Sequence, residues 1–407
     1  MIQNTVRVAS CVVVAMMAQT AMGADWPQWL GPERNGISSE VPQKLPEKKV
    51  LWRRPMSGES HGGIAVAAGF VVVPDFGEGK EIIRCFGAEK GEAVWSHSYP
   101  AADKIEFGSS MRATPLIHAG KVFTLGAGGE FTCLELATAN EDKTAKVVWR
   151  MNLAEAYKAT RPSWGYAASP LIADGLLIVA PGADDAALVA LDPATGKEKW
   201  RAAGGIAAYA SFVVGKLGGV TQVVGYDKES LGGWDLKTGR RLWSVKPEND
   251  GDFNVGTPVV VGERLLVSTE NNGTRLFQFG KDGVADPKPV AKSDDLSLDT
   301  GTPVLWKDRV YATYGGLYCI NADDAMKTAW YDEKEDDFSA YSACIAGNDR
   351  LMVFGESGTL CLVDISGKEG QLLGKMTLCE KTWSYPALAD GRLYIRDAKW
   401  LYAYEMK

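Results

Sequence analysis

The sequence predicts an all-β protein, an eight-bladed β-propeller closed by its N-terminal strand, on three observations. A unit of four short apolar strands recurs at intervals of roughly 40 to 55 residues. Most units end in a tryptophan. The last unit stops one strand short, and a segment near the other end of the chain matches the missing piece. Composition agrees: the 407 residues include 45 Gly and 18 Pro for turns and 13 Trp and 14 Tyr for strands. With 46% hydrophobic residues the chain can bury a large core.

In chain order, residues 1–24 come first. MIQNTVR carries one Arg and no acid, VASCVVVAMMA is apolar, and AQTAMGA is rich in small residues. This is the layout of a secretory signal peptide, with cleavage between Ala21 and Asp25. The apolar run is too short to span a bilayer. A lipoprotein reading through Cys11 fails, because the apolar region follows that cysteine rather than preceding it. Residues 25–48 form a leader expected to pack on the side of the propeller, and residues 49–407 form the propeller itself.

Each unit opens with a small residue, often Ser or Thr before Pro, and continues as a hairpin. ATPLIHAGKVFTL from Ala113, ASPLIADGLLIVA from Ala168 and GTPVLWKDRVYAT from Gly301 are three copies. A second hairpin follows and ends in Trp, as in LVALDPATGKEKW at Trp200. Blades open near Gly62, Ala113, Ala168, Tyr209, Gly256, Gly301, Ser342 and Ser384, and the weakest are the fourth and fifth. Seven blades is the alternative count. The final blade is short, and KKVLWRRP, with Trp52, resembles the closing strand TAKVVWRM. The N-terminal strand is therefore expected to complete the last blade, removing the exposed edges of an open array. NLAEAYKAT reads as one short helix between blades.

ALDPATGKEKW resembles the tryptophan-docking repeat of the pyrroloquinoline quinone (PQQ)-dependent alcohol dehydrogenase propellers. In that family the terminal Trp packs on a Gly-containing turn of the next blade. Trp52, Trp95, Trp149, Trp200, Trp243 and Trp330 match that position. In the leader, Trp26, Pro27, Trp29, Gly31, Pro32, Arg34 and Gly36 resemble the leader of exported PQQ-like propeller proteins. The architecture is also similar to that of the outer-membrane assembly lipoprotein BamB.

The resemblance implies a cofactor in the central channel, between a Trp floor and a disulfide of adjacent cysteines. It further implies a calcium ion held by carboxylate and amide oxygens, and an Asp as base. This chain has no adjacent cysteine pair and no long insertions to build such a pocket. The expectation is therefore no bound cofactor and no metal, with PQQ and calcium as the alternative that Arg112, Asn254 and Asp299 keep open. Six cysteines follow the signal segment. Cys85, Cys133, Cys319 and Cys361 recur on strands, as small buried hydrophobes do. Cys344, Cys361 and Cys379 leave a bridge open.

Residues just before each innermost strand should line the channel mouth. Those singled out as ligand-binding candidates are His61, Arg112, Trp164, Tyr166, Tyr209, Asn254, Asp299, Tyr341 and Trp383, with Arg112 and Asp299 a candidate ion pair. Aromatic faces with a few directional polar groups suit a sugar, a peptide segment or an aromatic ligand. No GxSxG, HExxH or phosphate-cradling loop occurs, so no catalytic residue is assigned. A net charge of −7 without a basic run argues against nucleic acid. The expectation is an exported monomer, periplasmic or extracellular and not transmembrane. It acts as a binding or scaffold protein for a protein or small-molecule partner. A quinoprotein dehydrogenase and a BamB-like assembly scaffold are the alternatives.

Overall fold

A computed structural model describes residues 24–102, 105–323 and 325–407. The signal segment lies outside them apart from Ala24. Among the described residues are eight four-stranded antiparallel sheets and a single short helix, Leu153–Tyr157. The helix follows blade 2 and is capped by Asn152, whose Oδ1 accepts from the Glu155 N–H.

The innermost strands of blades 1 to 4 are Ala65–Ala67, Leu116–His118, Leu171–Ala173 and Val213–Leu217. Those of blades 5 to 8 are Val259–Val261, Val304–Trp306, Ala343–Gly347 and Ala387–Ala389. Every opening expected from the repeat is followed by one of them. Inner and middle strands read as nearly continuous apolar runs because both faces of each sheet pack on a neighbouring blade. Leu188–Leu191 is buried throughout. The outer strand Gln371–Thr377 instead alternates exposed and half-buried positions, since its edge meets solvent. One apolar cluster joins Cys85 and Trp95 of blade 1 to Val122 and Leu134 of blade 2.

Ring closure uses both ends of the chain. Val50–Pro55 pairs antiparallel with Trp400–Glu405, setting Val50 opposite Tyr404 and Pro55 opposite Trp400, and so becomes the outer strand of blade 8. Trp52 then lies over Gly91 of blade 1 and donates its indole N–H to the Ala88 carbonyl at 3.0 Å. A Cβ on Gly91 would sit 2.6 Å from that ring, and the residue's φ of +69° also favours glycine.

The same device recurs between blades. Trp149 lies on Gly196 and donates to the Pro193 carbonyl, and Trp200 lies on Gly239 and donates to the Leu236 carbonyl. Trp95 donates to the Leu136 carbonyl at 2.7 Å. Trp330 rests on Gly370, but its buried N–H has no partner. Trp243 departs from the pattern because blade 5 has a longer loop in place of the tight turn. Its N–H goes to Gln222 of its own blade, and the Gln222 amide donates in turn to the Gly283 carbonyl of blade 5.

A belt of hydroxyls explains the Ser and Thr at blade openings. The Thr114 N–H donates to Ser169 Oγ, the Ser169 N–H to Ser211 Oγ and the Thr257 N–H to Thr302 Oγ1, each a bond to the next blade. The six cysteines of the described residues are free and buried, so the bridge left open among Cys344, Cys361 and Cys379 is not formed. Burial pushes the thiols of Cys344, Cys361 and Cys379 up to about 12.

The first half of the leader does not lie along the side of the propeller but crosses one end of the central channel, whereas residues 43–48 run out along blade 7, bonding to Asn348, Arg350 and Thr377. Trp26 exchanges backbone bonds with Val66 of blade 1, and the Pro27 carbonyl accepts from Ile117 of blade 2. Arg34 donates to the Ser169 and Pro170 carbonyls of blade 3, while Gly36 and Ser38 bond to Ala346 of blade 7. Arg34 is only 5% exposed, and burial alone lowers its pKa to about 9. Trp29 projects into the channel, donating to Thr257 Oγ1 at 3.0 Å with its ring 4.4 Å from that of Tyr385.

Trp52→Ala is expected to lower stability by roughly 3–5 kcal/mol, read as a drop in the thermal unfolding midpoint. Trp330→Phe should be milder than Trp200→Phe, because only the latter strands a carbonyl that had a donor. Equal shifts for the two phenylalanine variants would contradict the hydrogen-bonded docking.

Candidate functional site

With Trp29 and Tyr385 as its floor, the channel is a blind funnel open at the end opposite the leader. Its cavity holds about 240 Å³ and is lined mainly by apolar surface. Above the floor are Ser169, Ser211 and Thr257 of the hydroxyl belt, whose positions follow from the blade openings. Higher up are two aromatic clusters. Over blades 7, 8 and 1, Tyr341 stacks on Trp383 at 4.6 Å and 11°, and His61 lies 5.0 Å from Trp383. Over blades 2 to 5, Trp164 stacks on Tyr209 at 4.7 Å, with Phe253 at 4.5 Å and Phe107 edge-on at 5.7 Å.

Each tryptophan is oriented by a carboxylate. Trp164 donates its indole N–H to Glu106 at 3.0 Å, and Trp383 donates to Glu356 at 2.9 Å. Their indole N–H groups are thereby occupied, so a ligand in the cavity meets the exposed carbon surface of these ring clusters rather than a free donor.

Among the described residues, Arg112 is the one charged side chain that lines the cavity. Its guanidinium donates to the Ser110, Glu106 and Gly108 carbonyls, so the expected ion pair with Asp299 is not formed. Burial lowers its pKa, opposed by the charge of Glu81. Burial, and then Arg112, also lower the pKa of His61, which keeps the imidazole neutral at pH 7. Its Nε2 is 3.4 Å from the Phe107 carbonyl, and its buried Nδ1 has no partner.

Of the nine candidates, His61, Arg112, Trp164, Tyr209, Tyr341 and Trp383 come together around this cavity. Three do not. Tyr166 is buried with its hydroxyl on the Pro181 carbonyl at 2.9 Å. Asn254 has turned into left-handed backbone at φ 55°, and its amide donates to the Lys228 carbonyl. Asp299 accepts from its neighbour Thr300, and Thr300 lines the cavity in its place. Trp29, Phe107, Phe253 and the belt hydroxyls were not among the candidates. A bulky aromatic in a polar, Gly- and Asn-bearing connection, as in EFGSS and GDFN, is the signal that marks Phe107 and Phe253.

The donor set that the quinoprotein resemblance implies does not converge here. Among the described residues, no three His, Cys, Asp or Glu side chains are grouped so as to hold a metal ion. The amide of Asn254 is committed to carbonyls, and the cysteines lie inside the blades. On the opposite face, a groove of about 990 Å³ runs between the leader and blades 3 to 6 without any aromatic lining.

The profile of a protein family described as outer membrane protein assembly factor BamB matches residues 142–369, more than half of the chain. The chain belongs to this family of PQQ-like propellers. No curated protein matches it in sequence. Solved structures share its fold at low identity. BamB from Moraxella catarrhalis is 15% identical, with a TM-score of 0.61 over 89% of this chain and 98% of that one. The quinohemoprotein alcohol dehydrogenase from Comamonas testosteroni is 13% identical, with a TM-score of 0.64 over 93% of this chain and 80% of that one. A europium-containing methanol dehydrogenase is 11% identical, with a TM-score of 0.64 over 94% and 98% of the two chains. At these identities the likeness concerns the fold.

Behind the funnel wall, Glu81 of blade 1 is 1% exposed and accepts from the Ala127 N–H of blade 2 at 2.9 Å. Burial raises its pKa from 4.5 to about 7, against the Ala127 N–H, the Tyr99 hydroxyl and Arg112, which favour the anion. The folded state therefore binds this proton more tightly than the unfolded chain does. Its contribution to stability is full below about 4.5 and is lost as pH rises towards 7. Glu81→Gln should raise the thermal midpoint relative to the parent at pH 8 and change it little at pH 5. An equal shift at both values would contradict this.

Proposed function

We propose that this propeller is a binding protein that takes its ligand or partner at the blind aromatic funnel and performs no reaction there. The observation that carries this reading is the funnel itself. It is closed at its base by Trp29, presents aromatic faces on two sides, and holds few polar groups, chiefly the neutral His61, Arg112 and the belt hydroxyls. Apolar walls with a few fixed polar groups are the usual make-up of a recognition site. Eight interlocked blades hold those groups rigidly, which lowers the ordering cost of association.

The alternative is a dehydrogenase using PQQ and calcium. Against it stand the small cavity, the absence of adjacent cysteines and the dispersed oxygen donors. Family membership supports a protein partner, since the family's description names a factor for outer-membrane protein assembly. The composition of residues 1–24 supports export. Among the described residues no helix is long and apolar enough to cross a membrane.

Titration with indole should change the intrinsic fluorescence of Trp164 and Trp383, and Trp164→Ala should abolish most of that change. Incubation with PQQ and calcium should give neither tight binding nor dye-linked oxidation of alcohols or sugars. Turnover at saturating cofactor would overturn the non-enzymatic reading. N-terminal sequencing of protein from a periplasmic extract is expected to begin between residues 22 and 25. A retained Met1 would contradict export by cleavage.

A further inference from the structure

We propose that the occupant of the funnel is a polypeptide: a partner segment that inserts one large apolar or aromatic side chain and sets basic residues against the surrounding carboxylates. This rests on the reading of the funnel as a binding site.

Size comes first. Small-molecule sites usually enclose about 300–1,000 Å³. At about 240 Å³ the funnel falls below that range and has room for one ring system or one inserted side chain. A buried aromatic or aliphatic anchor in such a pocket is how the central residues of protein interfaces are held.

The second observation is what surrounds the cavity. Phe107 is 67% exposed, Phe253 46% and Tyr341 39%. Phe107 and Phe253 flank Trp164, and Tyr341 stacks on Trp383, so these rings continue the walls out onto the rim. A ligand that fitted inside would leave Phe253 and the outer parts of Phe107 and Tyr341 wet, whereas a chain running out over the rim would cover them. Phe107 is moreover held at φ 60°, a left-handed conformation costly for a bulky residue, and strain of this kind collects at functional positions.

Charge is the third. Glu106 and Glu356 stand beside the two tryptophans. Glu270 accepts from the Phe253 N–H with one carboxylate oxygen, and its other is buried without a partner. Burial, together with Asp252 and Asp299, raises the pKa of Glu270, so these acids crowd one another. Among the described residues the nearby cations are already engaged: Arg112 is turned into carbonyls, Arg275 lies 3.9 Å from Asp252, and Lys381 pairs with Glu356 at 3.1 Å. Lys or Arg flanking an apolar anchor would relieve the crowding and could lie against the exposed ring faces.

The test is selection of a random peptide library on the full mature protein, with Trp164→Ala as counter-selection and free indole as the small-ring probe. Recovered peptides should share one aromatic or large aliphatic residue between Lys or Arg residues, and indole should compete with them. Phe253→Ser, which removes a rim ring outside the cavity lining, should weaken a recovered peptide about ten-fold while leaving indole binding unchanged. Glu270→Gln with Asp299→Asn should weaken it less as salt is raised. If indole binds but no peptide is enriched, or the enriched peptides are acidic, the polypeptide proposal falls and the funnel stands as a small-ring site. If neither indole nor any peptide binds, the funnel reading falls with it.

Discussion

Everything else in this molecule depends on the pairing of Val50–Pro55 with Trp400–Glu405. A row of four-stranded sheets, each apolar on both faces, is stable only when every face has a neighbour, and an open row leaves two faces bare. Bringing the ends of the chain together in one blade removes both at once. Trp52 then locks blade 8 to blade 1 by the indole-on-glycine contact that also joins blade 2 to 3, blade 3 to 4 and blade 6 to 7. The ring is thus held by a repeated local interaction, and its closure is a single long-range one.

Closure creates an axial channel, and the leader decides what that channel becomes. Backbone bonds from Trp26, Pro27, Gly36 and Ser38 to inner strands of blades 1, 2 and 7 hold the leader across one end. Arg34 reaches two carbonyls of blade 3, a buried cation held by dipoles rather than by an acid, with its Nε left without a partner. The consequence is Trp29, whose ring stands on the axis and turns a tube into a funnel with one mouth.

The family to which the chain belongs shares this architecture with enzymes and with an assembly factor, so the shape alone selects no chemistry. Here the channel end is furnished with ring faces instead of a convergent set of oxygen ligands. The carboxylates nearest the mouth orient tryptophans, and the arginine there is tied to its own loop. Such groups fix the shape of a surface, and shape is what recognition requires.

The sequence by itself determined the blades. Period, hairpin turns, the Ser/Thr openings, the Trp and Gly positions and the shortened last unit are local or repeated, and a repeat states its own packing many times over. It also identified most of the mouth, because the connections that lead into the innermost strands begin at the channel's end: His61, Arg112, Trp164, Tyr209, Tyr341 and Trp383 gather there. What the tertiary structure decided is whatever depends on a single non-repeated contact. The path of the leader, the floor made by Trp29, the inward turn of Tyr166 and Asn254, and the outward turn of Phe107 and Phe253 each follow from partners far away in the chain. No periodicity encodes such contacts, since they arise only once the ring has closed and the loops at its mouth compete for the same space.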